Sequence, residues 1–152
     1  MFQGKLISIH ITPLKAHPMQ QVAEVKAIAG RGLQGDRYSC GVGTFSKPPG
    51  AGREVTLIEI ESIEALREKG ILIKAGEARR NLVTRGVPLN HLVGRTFKVG
   101  EVRLKGVRLC EPCAHLEGLT RKGVLRELVH RGGLRAAIMN GGIIHEGDSV
   151  TE

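Results

Sequence analysis

The alternation of apolar and polar positions along this chain is short in range and mostly strand-like. Residues Lys5–Thr12 set Leu6, Ile7, Ile9 and Ile11 around the polar Ser8 and His10, which predicts a strand. Val22–Ile28 alternates more cleanly, with Glu24 and Lys26 among Val22, Ala23, Val25, Ala27 and Ile28. Pro13 and Pro18 punctuate the link between these two strands. Glu54–Ile58 is a β-rich run. Just after it, Ile60, Ile63 and Leu66 recur at helical spacing, and Gly70 stands where a helix end favours a residue without a Cβ. A helix from about Ile60 to Lys69 follows from that. Arg95–Val99 and Val102–Val107 read as two strands around a tight Gly100–Glu101 turn. Leu125–Arg131 reads as a short helix ending at Gly132–Gly133. Leu134–Met139 and His145–Val150 read as the last strands, with Asn140–Gly141–Gly142 as the turn between them.

Short strands with two inserted helices lack the strand–helix alternation of a parallel α/β sheet. They predict a mainly β fold, a small closed or nearly closed β-barrel, because closure removes exposed sheet edges. The 152 residues fit one domain spanning 1–152, with no repeat and no linker. Between Gly41 and Gly52 the pattern stops. That stretch holds four glycines and two prolines and reads as a mobile loop, of a length that in compact domains is more often functional or disordered than idle.

Composition narrows the function classes. The 21 glycines are about double the usual share, which suits many turns and close backbone approaches. No apolar run reaches the roughly 18–20 residues of a membrane span, and the N-terminus has no signal-peptide pattern, so the cytoplasm is the default expectation. Three cysteines do not make a disulfide framework and favour a reducing compartment. The net charge of +8 invites a nucleic-acid partner. Against that, the 23 basic residues are spread through both halves and aromatics are 3% of the chain, leaving little to stack bases on. A small anion needs only a few convergent arginines, and 14 of the 23 are Arg, the better bidentate phosphate partner.

Four stretches carry candidate chemistry. In Gly32-Leu33-Gln34-Gly35-Asp36-Arg37 the glycines admit close backbone approach and Arg37 supplies a forked donor, with Asp36 placed to fix Arg37 or bond loop amides. It matches neither a dinucleotide-binding nor a P-loop pattern. Arg53-Glu54-Val55-Thr56 puts Arg53 at the mouth of a strand and Thr56 on the face of Glu54. In Arg79-Arg80-Asn81, two arginines beside an amide suit an oxyanion. For each of these a plain polar turn or strand end is the competing reading. The fourth, Leu109-Cys110-Glu111-Pro112-Cys113-Ala114-His115-Leu116, is the most informative. Zinc needs two more ligands, and Cys40, His130 and His145 are not spaced to supply them. A thioredoxin-type pair opens a helix in a βαβ fold, whereas this pair follows a strand. A single thiolate, made more acidic by nearby guanidinium charge, suits a soft metal or a sulfur-transfer step.

These stretches, in this order, resemble the MOSC family, named after the C-terminal domain of molybdenum-cofactor sulfurases. The matching elements are Gly32–Arg37, Arg53–Leu57, Asn81–Val87, Pro112-Cys113, Arg131–Ala136 and Gly147–Val150, covering nearly the whole chain. The resemblance implies a compact barrel, pyruvate-kinase-barrel-like, and chemistry linked to the molybdenum cofactor (molybdopterin). It implies Cys113 as the molybdenum ligand or, in the alternative family proposal, as a persulfide carrier. It also implies Arg37, Arg53, Thr56, Arg80 and Asn81 as pocket residues for a small anionic cofactor. A cysteine desulfurase or a molybdoenzyme is the implied partner. The link between this family and pyridoxal phosphate belongs to a sulfurase domain with a Schiff-base lysine, and nothing here marks such a lysine. Where many relatives have Gly-Glu-Asn-Leu this chain has Arg79-Arg80-Asn81-Leu82, which makes the implied pocket more cationic. Two other function classes stay open from sequence: a basic nucleic-acid-binding barrel, and a zinc or redox interaction module using Cys110 and Cys113.

Overall fold

The computed structural model describes residues 2–14, 16–40, 54–110 and 131–152. The glycine-rich loop expected over 41–52, Arg53, Cys113 and all but Arg131 of the helix expected over 125–131 lie outside the described residues.

Eleven strands are described: β1 (Gln3–Ile11), β2 (Gln20–Val22), β3 (Glu24–Ile28), β4 (Gly32–Leu33), β5 (Val55–Glu59), β6 (Leu82–Arg85), β7 (Thr96–Val99), β8 (Val102–Leu109), β9 (Leu134–Ile138), β10 (Gly142–His145) and β11 (Ser149–Thr151). Two helices accompany them, α1 (Arg37–Cys40) and α2 (Ile60–Glu68). The order β11-β7-β8-β9-β5-β6-β1 closes on itself because β11 also pairs β1, Gly4 opposite Val150, giving a seven-stranded barrel. Closure leaves β2 as an appendage on β1, and β10-β3-β4 form a separate three-stranded sheet. Among the described residues no helix is long and apolar enough to cross a membrane.

One pair, β5 and β6, runs parallel, Leu57 opposite Leu82. A parallel pair cannot be joined by a hairpin and needs a crossover. α2 supplies it, laying Ile63 and Leu66 on Ile58 and Val83. Its end follows the expected pattern: Gly70 at φ +81 donates to Arg67 O, and Ile71 donates to Leu66 O.

The barrel interior is apolar. Leu6, Ile9, Leu57, Leu82, Phe97, Leu104 and Leu134 are all at most 1% exposed and form its core. Leu6 and Ile9 are an odd number of positions apart, so strict alternation cannot send both inward. The β1–β6 register shifts between Leu6 and Ser8, a bulge that resets the phase. The same shift leaves Ser8 and His10 buried and Ile7 exposed at 36%.

Two expected strands turn out to be four. The run Val22–Ile28 breaks at Ala23, with β2 pairing β1 and β3 pairing β10 in the other sheet. His145–Val150 divides likewise into β10, which begins at Gly142 within the expected turn, and β11 in the barrel. Both breaks let the chain change sheets.

Candidate functional site

At one end of the barrel the last residues of β1, the residues leading into β5 and β6, and the stems of segment 111–130 converge. His10 N donates to Asn81 O at 2.7 Å, and Asn81 N donates to Thr56 O at 3.1 Å. The Asn81 side chain completes the junction. Its Oδ1 accepts from Thr56 N (3.1 Å) and Thr56 Oγ1 (3.2 Å), and its Nδ2 donates to His10 O (3.1 Å). Asn81 and Thr56 are thus placed together, buried, and joined to protein partners, holding the start of the parallel pair.

Asp36, fully buried, accepts from Thr12 N at 3.1 Å and Tyr38 N at 3.4 Å, and pairs with Arg37 Nη1 at 3.2 Å. It therefore both fixes Arg37 and bonds loop amides. Burial pushes the Asp36 carboxyl up; Arg37, the Thr12 and Tyr38 amides and the Asn81 side chain oppose that. Arg37 also lies 4.4 Å over the Tyr38 ring and donates to Arg79 O at 3.3 Å. Arg80 points its fork at three carbonyls: Nε to Gly132 O (2.7 Å), Nη2 to Cys110 O (3.0 Å) and Nη1 to Ala78 O (3.4 Å). It therefore clamps both stems of the segment that contains Cys113. Arg79 Nη1 donates to His17 O at 2.5 Å.

Arg37, Arg79 and Arg80 are 4%, 9% and 8% exposed. Among the described residues, Asp36 is the carboxylate paired with this group. Glu54, the other buried acid, instead accepts from the backbone amides of Gly30 (3.1 Å) and Ile138 (2.9 Å). Backbone carbonyls and the Asp36 carboxylate thus satisfy guanidinium donors at this end, while the three like charges stay close together. Burial pulls the Arg79 pKa down, and the charges of Arg37 and Arg80 add to that, while Tyr38 and Asp36 oppose it.

Beside this cluster lies a cleft of about 430 Å³, lined on one side by Ala16, Pro18 and Met19 and on the other by Lys74, Gly76 and Arg79. His10 forms part of its lining, with Nε2 2.8 Å from Ser8 Oγ. Gly76 lies against the imidazole: a Cβ there would sit 3.0 Å from Nδ1. Sequence reasoning passed over His10 and Ser8 as site residues because alternation marks polar strand positions as outward. Among the described residues, no three His, Cys, Asp or Glu side chains gather as a metal site. Cys110 is buried.

His10 gives a pH prediction. Burial holds its pKa below the ordinary value, with Glu146 pulling the other way. As pH falls, the folded chain accepts this proton later than the unfolded chain. Stability is therefore complete above about pH 6.5 and declines below it toward the folded pKa. Asp36, whose folded pKa is raised, contributes in the opposite sense, gaining as pH falls through its own folded pKa. Urea midpoints at pH 7 and pH 5.5 should differ more for the wild type than for His10→Gln; an unchanged difference would remove His10 as the source.

A closed seven-stranded barrel with three buried arginines at one end defines a small β-barrel protein. The MOSC domain profile matches residues 34–151, and the chain belongs to the MOSC domain family, which is associated with molybdenum-cofactor-related sulfur chemistry. Among solved structures, it is similar to the YuaD protein from Bacillus subtilis, at TM-score 0.82 and 16% identity over 99% of this chain and 97% of that one. It is also similar to YiiM from Geobacillus stearothermophilus, at TM-score 0.73 and 15% identity over 97% and 74% of the two chains. YiiM from Escherichia coli gives TM-score 0.66 and 16% identity over 97% and 68%. At these identities the likeness establishes the shared barrel. Comparison with the curated proteins found no match.

Proposed function

We propose that this chain is a molybdenum-cofactor-binding MOSC protein in which the Cys113 thiolate is the metal ligand. The observation that supports this best is the group of three buried arginines with, among the described residues, one paired carboxylate, gathered where the stems of segment 111–130 leave the barrel. Covalent reach keeps the Cα of residue 113 within about 11 Å of that of residue 110, whose carbonyl Arg80 holds. A guanidinium close to a thiol favours its ionised form.

The donor chemistry fits the cofactor: a soft thiolate for the metal and excess cationic charge for a phosphate dianion. When bound, the cofactor supplies a redox-active metal–sulfur centre. The chain's own residues would do the rest. Arg80 would hold together the two stems of the segment that carries Cys113. Arg37, held by Asp36, and Arg53 add positive charge. Asn81 and Thr56 would keep the strand ends in register. On this reading all 152 residues act as one domain in a reducing cytoplasm, with a molybdoenzyme or a cysteine desulfurase as partner. Cys110 is 5% exposed, which favours a packing role over a zinc or redox pair with Cys113.

The test is elemental and pterin analysis of protein purified from a molybdenum-replete host, wild type beside Cys113→Ser. Molybdenum and pterin are expected in the wild type and absent from the variant. Cofactor retained by Cys113→Ser overturns the ligand role. A persulfide on Cys113 in thiol mass spectrometry, with no cofactor in the wild type, replaces this reading with sulfur carriage.

A further inference from the structure

Non-glycine residues rarely adopt positive φ, because the Cβ then crowds the following carbonyl. Ala16 (φ 61) and Arg79 (φ 62) are the two that do so among the described residues, and both line the same cleft. Strain of this kind gathers where geometry serves a ligand. The cleft volume of about 430 Å³ lies within the range of small-molecule sites. Arg79 bridges its two walls, running from the Lys74–Arg79 turn to the His17 carbonyl.

Among the described residues, the charges here are unbalanced toward the cation. Arg79 lies beside Arg37 and Arg80, and burial and those two neighbours together lower its pKa. The exposed Lys74 stands at the rim. Among the described residues Glu77 is the acid on the lining, and its Oε1 is held by the backbone amide of Lys74 at 2.8 Å. Pro18, Met19 and Ala75 add an apolar surface. A doubly charged oxyanion joined to an organic group meets both features.

We propose that the cleft between residues 16–19 and the Lys74–Arg79 turn binds an organic phosphate monoester, with Arg79 holding the phosphate and Pro18, Met19 and Ala75 facing the organic part. The site does not depend on Cys113. The phosphate can belong to a pterin cofactor or to a separate small molecule.

Phenyl phosphate and inorganic phosphate serve as probes, titrated calorimetrically into the full chain purified from a host unable to make the pterin. Phenyl phosphate should bind the wild type and Cys113→Ser alike, and more tightly than inorganic phosphate. Arg79→Gly relieves the strained backbone, so its thermal midpoint should equal or exceed that of the wild type, while its affinity for phenyl phosphate drops by about tenfold or more. Lys74→Ala, at an exposed position, should weaken binding several-fold without unfolding. Arg79→Gly binding within twofold of the wild type, equal binding of the two probes, or no binding to the wild type overturns the proposal. Pterin content of Arg79→Gly from a replete host separates the two sources: loss assigns the phosphate to the cofactor, retention to a separate ligand.

Discussion

Gly133→Ala should abolish or nearly abolish folding, lowering stability by about 4 kcal/mol or more, in the exceptional range for single substitutions. Two effects add. Gly133 has φ +110, which residues with a Cβ avoid, and a Cβ there would press into the Leu57 carbonyl, with the Leu57 carbon itself 3.0 Å away. The obstacle is the backbone of β5, a central barrel strand, so no side chain can turn aside. Gly133 O also accepts from Cys110 N, so the strain falls on the junction that roots segment 111–130. Set against a whole-domain stability of about 5–15 kcal/mol, the loss should appear as insoluble protein or a collapsed urea midpoint. Gly30→Ala is the control: φ is +75 and nothing lies within 4 Å of the added carbon. It should cost only the left-handed penalty of about 1–2 kcal/mol. Equal losses for the two variants would show that dihedral strain alone, and not the approach to Leu57, sets the cost.

Asn81→Ala should cost about 3–5 kcal/mol. It removes the acceptor for Thr56 N and Thr56 Oγ1 and the donor to His10 O, in a place with no solvent to replace them. Each orphaned buried group costs about 1–3 kcal/mol. Asn81→Asp separates geometry from charge. It keeps the acceptor, loses the donor, and sets a second buried carboxyl by Asp36, whose pKa the Asn81 amide helps hold down. Burial and like charge would raise the new carboxyl's pKa, so Asn81→Asp should gain stability as pH falls through that value. Asn81→Ala should show no such gain beyond that of the wild type. Chemical unfolding at pH 7 and pH 5 reads this directly, and parallel pH profiles for the two variants would count against a charge penalty.

Local signals located most elements within a few residues. The α2 helix was legible from Ile60, Ile63, Leu66 and Gly70 because helical period and capping are properties of neighbouring residues. The β7–β8 hairpin was legible for the same reason, with Val99 opposite Val102 around the turn. The divisions at Ala23 and between β10 and β11 were not, since alternation states which face a residue occupies and not which sheet its strand joins. The burial of Ser8 and His10 depended on a bulge set by pairing with β6, and no local pattern announces that. Of the candidate site residues, Asn81 and Thr56 stood out by motif, yet their bond to each other across 25 positions is a tertiary fact. The left-handed backbone of Arg79 was equally hidden, because the residue type argues against it.

By itself the sequence determined a small mainly β barrel and its family, because strand period, turn residues and ordered motifs are carried by the chain locally. Only the tertiary structure decided that Arg37, Arg79 and Arg80 share one buried end, where Asp36 is the paired carboxylate among the described residues, and that Ala16 and Arg79, both at positive φ, line one cleft. The reason is that barrel closure brings together residues distant in the chain, and the electrostatic cost of burying like charges exists only once they are neighbours.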